Sequence, residues 1–350
     1  MVNDSLLKQY KLNNDLTLKN RIVMAPMTRA KASHDLIPNM AAADYYGRRA
    51  AAGLIVTEGA VISSDALGHP NVPGIFNQEQ VNQWKNIANR VHENNGLIFM
   101  QIWHVGRVSH PSLLGGRLPI APSETMMTGA MNRNPGLYFG KSRAASLSEI
   151  QMIIDHFASA AENAMKAGFD GIEIHGANGY LVDQFLHFST NQRKDEYGGT
   201  PENMARFALE LVHACGNAIG YERVGLRLSP GAYLNQIIGE ESDALVFQYL
   251  LEKLNELSIA YVHTGNFNDQ VKFNELKNLT MTEFMRQYYK GTLIACGAYS
   301  FETAREGLES NLFDLVAFGK PFIANPNLIE CLRESRSLNS YDVSMLETLY

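Results

Sequence analysis

The chain has 350 residues, 45% hydrophobic and 19% charged, the balance of a globular enzyme with a sizeable core. Its net charge of −6 argues against nucleic acid or an anionic membrane as the main partner, and any phosphate ligand must therefore be held by local groups. Three scattered cysteines, Cys215, Cys296 and Cys331, lack the spacing of a disulfide scaffold or a metal site, so no metal is expected and a reducing compartment is.

In chain order, short apolar runs alternate with longer helical patterns. The first strand is predicted at Arg21–Met24 and its helix at 40–52, the second at Leu54–Thr57 with 78–94, and the third at Leu97–Ile102 with 148–167. Gly171–Ile174 with 202–219, Val224–Leu228 with 242–257, and Ala260–Val262 with 280–290 follow. The last two units are Thr292–Ala295 with 301–309 and Leu315–Phe318 with 327–334. The strand runs are almost continuously hydrophobic, as parallel strands covered on both faces require. Asn77 precedes one helix, and Ser146 with Glu149 forms a capping-box pattern before another.

Eight βα units without a reversal point predict one closed (β/α)₈ barrel spanning 1–350, an α/β fold with right-handed crossovers. Two segments interrupt it. A loop from about Val105 to Leu147 is too long for a plain connector and is read as a lid or pocket wall. Tyr180 to Thr200 is the other irregular stretch. The segment Met1–Tyr10 has no signal-peptide pattern, and no apolar run approaches the ~18 residues of a membrane span, so a cytoplasmic protein is expected, monomeric or a small homo-oligomer.

Barrel enzymes carry their chemistry at the C-terminal ends of the strands. Here those ends read Ala25-Pro26-Met27-Thr28-Arg29, Glu58-Gly59-Ala60, Gln101-Ile102-Trp103-His104 and His175-Gly176-Ala177-Asn178-Gly179-Tyr180. Arg227 with Ser229-Pro230, His263-Thr264-Gly265, Cys296-Gly297-Ala298 and Gly319-Lys320 complete the ring. Taken singly, Arg227 is as well read as a paired structural cation, Gln101 as a buried amide and His175 as a satisfied core histidine. Together, eight polar or glycine-bearing ends predict a small-molecule site. Gly297, Gly319 and Lys320 occupy the two loops where barrels usually bind phosphate, although glycines there also serve tight turns.

Five stretches in order are more specific: Asn20–Ala30 (NRIVMAPMTRA), Gln101–Arg107 (QIWHVGR), Gly171–Tyr180 (GIEIHGANGY), Asn191–Phe207 (NQRKDEYGGTPENMARF) and Val316–Leu328 (VAFGKPFIANPNL). Through them the chain resembles the old yellow enzyme family of FMN-dependent ene-reductases over nearly its whole length. The resemblance implies Pro26, Met27 and Thr28 under the flavin, Ala60 at its edge, Gln101 on the pyrimidine ring and Arg227 beside its developing negative charge. It implies phosphate contacts at Gly297, Ala298, Gly319 and Lys320, with Lys320 standing where the family usually has arginine. Met204 also replaces a usual arginine. His175 and Asn178 match the pair that holds a substrate oxygen, Tyr180 the proton donor, and Trp103 and Tyr350 pocket aromatics.

The implied reaction takes hydride from NADPH or NADH and reduces an electrophilic alkene conjugated to a carbonyl or nitro group. Nitrate esters and nitroaromatics would suit the same groups. With no GxGxxG in a strand-to-helix context, the nicotinamide is expected as a visiting substrate. The alternatives are an FMN-binding barrel of low turnover and a phosphate-binding barrel lyase, for which Lys320 is the sole lysine on the rim.

Overall fold

The computed structural model describes residues 4–350. Eight parallel strands form its centre: β1 (Ile22–Met24), β2 (Leu54–Val56), β3 (Ile98–Trp103), β4 (Gly171–Gly176), β5 (Val224–Leu228), β6 (Tyr261–Thr264), β7 (Leu293–Cys296) and β8 (Leu315–Phe318). Each pairs with the next, and β8 pairs back to β1, so the sheet closes as the (β/α)₈ pattern predicts. The strand ends differ from the sequence reading by at most two residues.

Strand periodicity sorts side chains into two cores. Val23, Leu54, Val56, Phe99, Tyr261, Ile294, Leu315 and Ala317 point into the barrel. Their neighbours Ile22, Ile55, Ile98, Ile172, Leu226 and Val262 point out to the helices. The inner layer is crowded, because a Cβ on Gly171 would lie 2.5 Å from Phe99 and one on Gly225 would lie 2.4 Å from the Tyr261 ring. These two glycines supply room for two aromatic rings, whose centroids lie 5.7 Å apart.

The helices wrap the outside: α1 (Ala41–Gly47), α2 (Gln78–Glu93), α3 (Leu147–Lys166), α4 (Leu181–Leu186), α5 (Pro201–Ile219), α6 (Asp243–Leu254), α7 (Met281–Tyr288), α8 (Phe301–Glu309), α9 (Lys320–Ala324) and α10 (Leu328–Arg333). Asn77 with Gln80 and Ser146 with Glu149 form complete capping boxes. The helix expected over 40–52 stops at Gly47, after which the buried Arg49 donates to the carbonyls of Tyr45, Phe322 and Tyr350. Met204 is fully buried in α5, so a hydrophobic contact stands where the resemblance led one to expect a cation. Among the described residues, no helix is long and apolar enough to cross a membrane.

Two features lay outside the sequence reading. A hairpin, Tyr10–Lys11 against Thr17–Leu18, closes the N-terminal end of the barrel by adding Leu12 and Leu18 to its inner core. The long loop after β3 is also partly ordered. Ile120–Ala121 pairs with Arg143–Ala144, and bridges at 126/141 and 130/138 make an antiparallel ribbon within it. Its Arg133 returns to the rim, where Nη1 donates to the Thr28 carbonyl at 3.1 Å.

Because Leu18 is fully buried in the floor, Leu18→Ala is expected to cost about 2–5 kcal/mol of unfolding free energy. Chemical denaturation measures this, and a loss under about 1 kcal/mol would show that the hairpin is not part of the cooperative core.

Candidate active site

Above the apolar floor, the inward positions become polar. Gln101 on β3, Glu173 and His175 on β4, Arg227 on β5 and His263 on β6 are neighbours by register: Gln101 lies opposite Glu173, and Arg227 opposite both His175 and His263. Gln101 Nε2 donates to Glu173 Oε1 at 2.7 Å, and His263 Nδ1 bonds Glu173 Oε2 at 2.7 Å. Burial alone would raise the Glu173 carboxyl, but His263, Arg227 and Gln101 hold it below the usual range. Burial depresses His263, so it is neutral and donates to the carboxylate.

This network decides which end of Gln101 is free. With the amide NH₂ spent on Glu173, Oε1 remains as an acceptor, 3.4 Å from where a Cβ on Gly59 would sit. The same rim holds the Arg227 guanidinium, whose Nε has no partner among the described residues, and the half-buried Thr28 hydroxyl. An acceptor, a cation and a hydroxyl on one rim suit a flat ring that alternates N–H with carbonyl oxygens, as the pyrimidine edge of a flavin does. Met27 packs beside Gly319, where a Cβ would lie 3.2 Å from its sulfur.

Beside this ring sits an aromatic cluster. Trp103 stacks on His175 with centroids 5.8 Å apart, and Tyr180 stands edge-on to both, at 4.8 Å from Trp103 and 5.1 Å from His175. Trp103 Nε1 and His175 Nδ1 are buried without a partner among the described residues. Buried polar atoms are normally bonded, so such orphans mark a place where a ligand supplies the missing groups. Burial, then the nearby Arg227, lowers His175 to about 3, which leaves a neutral imidazole. Burial raises Tyr180, which stays protonated at neutral pH.

The turn carrying Asn178 is tightly held. Asn178 is left-handed at φ 65°, its N–H donates to Ser229 Oγ at 2.8 Å, and its carbonyl accepts from Asn235 Nδ2 at 2.8 Å. Asp183 Oδ2 accepts from Gly179 N at 2.7 Å and Ser229 Oγ at 3.0 Å. Behind it, the fully buried His187 lies 3.4 Å from Asp183 and 2.9 Å from Asp243. Burial alone would depress His187, but the two aspartates overcome this and raise it to about 10.

At the ends of β7 and β8, Gly297 has φ 146° and a Cβ there would meet Asp269 N at 2.5 Å, so the turn requires glycine. Ala298 is left-handed at φ 58°. Lys320 is exposed, with its ammonium 5.5 Å from the Tyr341 ring. The cavity of about 200 Å³ against Gly297 and Ala298 also carries Asp269 and Glu283, so its far wall does not favour an anion. A second cavity of about 330 Å³ is lined by Arg29, Lys31 and Arg133, the last of which bonds the Thr28 carbonyl, and by no carboxylate. Tyr350 is not part of the cluster: it is 69% exposed and its ring lies 4.9 Å from the Arg48 guanidinium.

Sequence reasoning missed Glu173, Arg133, Asp183 and His187. Glu173 had a usable signal, since it lies two residues before His175 and so shares its inward face. The others act through contacts between distant loops.

The chain matches the NADH:flavin oxidoreductase / NADH oxidase family over residues 5–339. It is 39% identical to 12-oxophytodienoate reductase 2 of Arabidopsis thaliana over 350 residues, covering 98% of this chain and 92% of the relative. Among solved structures, it superposes on the old yellow enzyme homologue from Zymomonas mobilis with a TM-score of 0.92 at 37% identity, covering 98% and 96% of the two chains. On morphinone reductase in complex with tetrahydroNAD the TM-score is 0.89 at 40% identity, with 98% and 94% covered.

His187 gives a pH prediction. Its folded-state value is raised above the unfolded value of about 6.5, so its stabilisation is complete below that pH and is lost as pH rises through about 10. His187→Gln is therefore expected to lower the unfolding free energy by about 3–5 kcal/mol at pH 6, with the gap to wild type closing towards pH 10. Urea titrations across that range check it; a gap that does not change with pH would mean a neutral imidazole.

Proposed function

The chain belongs to the NADH:flavin oxidoreductase / NADH oxidase family, as an FMN-dependent NAD(P)H oxidoreductase of the old yellow enzyme group, and on that premise we propose that it reduces the C=C bond of alkenes conjugated to a carbonyl or nitro group. The observation that carries this reading is the cluster of Trp103, His175 and Tyr180, with its unpartnered buried nitrogens, beside the Gln101–Arg227 rim.

The residues fit the cofactor's ring, and its phosphate end would have to keep clear of Asp269 and Glu283. Thr28, Ala60, Gln101 and Arg227 would meet the pyrimidine edge, Pro26 and Met27 the underside, and Gly297, Ala298, Gly319 and Lys320 the phosphate. Bound there, FMN would supply the hydride chemistry that links oxidation of NAD(P)H to reduction of the alkene. Arg227 places a fixed cation where negative charge is best stabilised. The cationic cavity lined by Arg29, Lys31 and Arg133 suits a reductant that carries phosphates.

His175 and Asn178 hold the substrate's carbonyl or nitro oxygen. A neutral His175 donates without carrying a charge of its own, and both donors favour the negative charge that grows on that oxygen as the β-carbon is reduced. Tyr180 keeps its proton at neutral pH and delivers it to the α-carbon. Lys320, the lysine the lyase alternative would use, lies exposed over Tyr341 rather than inside the rim.

The test is the visible spectrum of the purified protein without oxygen. Absorbance near ~450 nm that NADPH bleaches and 2-cyclohexenone restores supports the reading; bleaching without restoration by any activated alkene overturns it. Tyr180→Phe is expected to slow alkene reduction about 100-fold while leaving bleaching by NADPH unchanged, as stopped-flow absorbance would show. Equal rates in both half-reactions would remove Tyr180 as the proton source.

A further inference from the structure

An asparagine can hold a substrate oxygen only with its NH₂ end, because the other end is itself an oxygen. If Asn178 is the oxygen-holding donor proposed above, something must prevent its amide from turning over. Resting on that role of Asn178, we propose that Tyr233 is a positioning residue that locks the amide in the donating orientation.

Tyr233 lies in the loop between β5 and α6, and its hydroxyl donates to Asn178 Oδ1 at 2.5 Å. That hydroxyl makes no other hydrogen bond among the described residues. If the amide turned over, its NH₂ would face the phenol oxygen and the hydroxyl proton would lose its acceptor. The cost of stranding a polar hydrogen in a half-buried place opposes the flip. Burial pushes the Tyr233 phenol up, so it retains the proton it must donate.

The surroundings leave the side-chain amide as the one free element. The Asn178 backbone is held on one side by Ser229 and on the other by Asn235, both in the same loop as Tyr233. That loop is fastened in turn. Arg107 Nη2 donates to the carbonyls of Asn235 at 3.1 Å and Gln236 at 2.9 Å. Its far end reaches Asp243, which His187 clamps and which accepts from Phe188 N and Glu240 N. Phe267 packs edge-on against the Tyr233 ring at 5.2 Å. The amide of Asn178 is thus polarised by a group that need not touch the substrate.

The test is steady-state reduction of 2-cyclohexenone by NADPH with the flavin-loaded enzyme, comparing Asn178→Ala, Tyr233→Phe, the double variant and Asn178→Asp. Tyr233→Phe is expected to lower kcat/KM about tenfold in the wild-type background and by no more than about twofold in the Asn178→Ala background. Asn178→Asp can still accept from Tyr233 but has no NH₂, and is expected to lose as much activity as Asn178→Ala. Equal losses from Tyr233→Phe in both backgrounds would show that Tyr233 acts through the loop at large and would overturn the proposal. An Asn178→Asp enzyme with wild-type kcat/KM would overturn it whatever Tyr233→Phe does. If Asn178→Ala itself has no effect while Tyr180→Phe does, the assignment of Asn178 falls and this proposal with it, leaving Tyr180 in place.

Discussion

A carboxylate inside a barrel has no water to stabilise it, and Glu173 is fully buried there. It is held ionised by His263 and Gln101, which donate to it, and by Arg227 on the adjoining strand. Each of these groups is in turn constrained by it. The carboxylate fixes which nitrogen of His263 bears the proton, turns the Gln101 amide so that its oxygen is left over, and offsets the charge of Arg227. The recognition face of the barrel is in this sense set by one residue that need not reach the ligand, and the cation and acceptor found there are the visible part of a balanced buried set.

The barrel below it solves a different problem. Strand alternation alone decides that Val23, Leu54 and Leu315 face inward, and the change from apolar to polar happens along four adjacent strands, β3 to β6, as between Phe99 and Gln101 on β3 and between Tyr261 and His263 on β6. A dry lower layer supports a polar upper one, and the N-terminal hairpin keeps the lower layer closed. The substrate cluster then stands on β3, β4 and the turn after β4, with the loop from β5 bracing it.

Much of this was legible in the sequence, because the βα period and the residues at strand ends are local properties. Val224–Leu228 and Leu315–Phe318 are read without error from their apolar runs, and both predicted caps form. The floor hairpin was not legible, since strands of two residues carry no periodicity. Nor was α4, six residues that begin directly after an irregular turn. Within the site, Trp103, His175 and Tyr180 come together as their positions imply. Tyr350 lies instead against Arg48, and no local pattern around it could have foretold that. The roles of Glu173, Asp183 and Tyr233 depend on partners 46 to 90 residues away, which a linear pattern cannot show.

The exchange of space between Gly171 and Phe99, and between Gly225 and Tyr261, limits the routes by which this chain can change. An alanine at either glycine collides with a ring on the neighbouring strand, and a smaller residue in place of either ring leaves a void. At Gly225 the collision is with the ring alone, so change there is coupled to change at Tyr261, whereas at Gly171 a Cβ would also lie 2.5 Å from the Arg223 carbonyl oxygen, so trimming Phe99 does not free that position. Lineages sharing this inner layer should therefore keep Gly171, and at Gly225 and Tyr261 keep both partners or replace both.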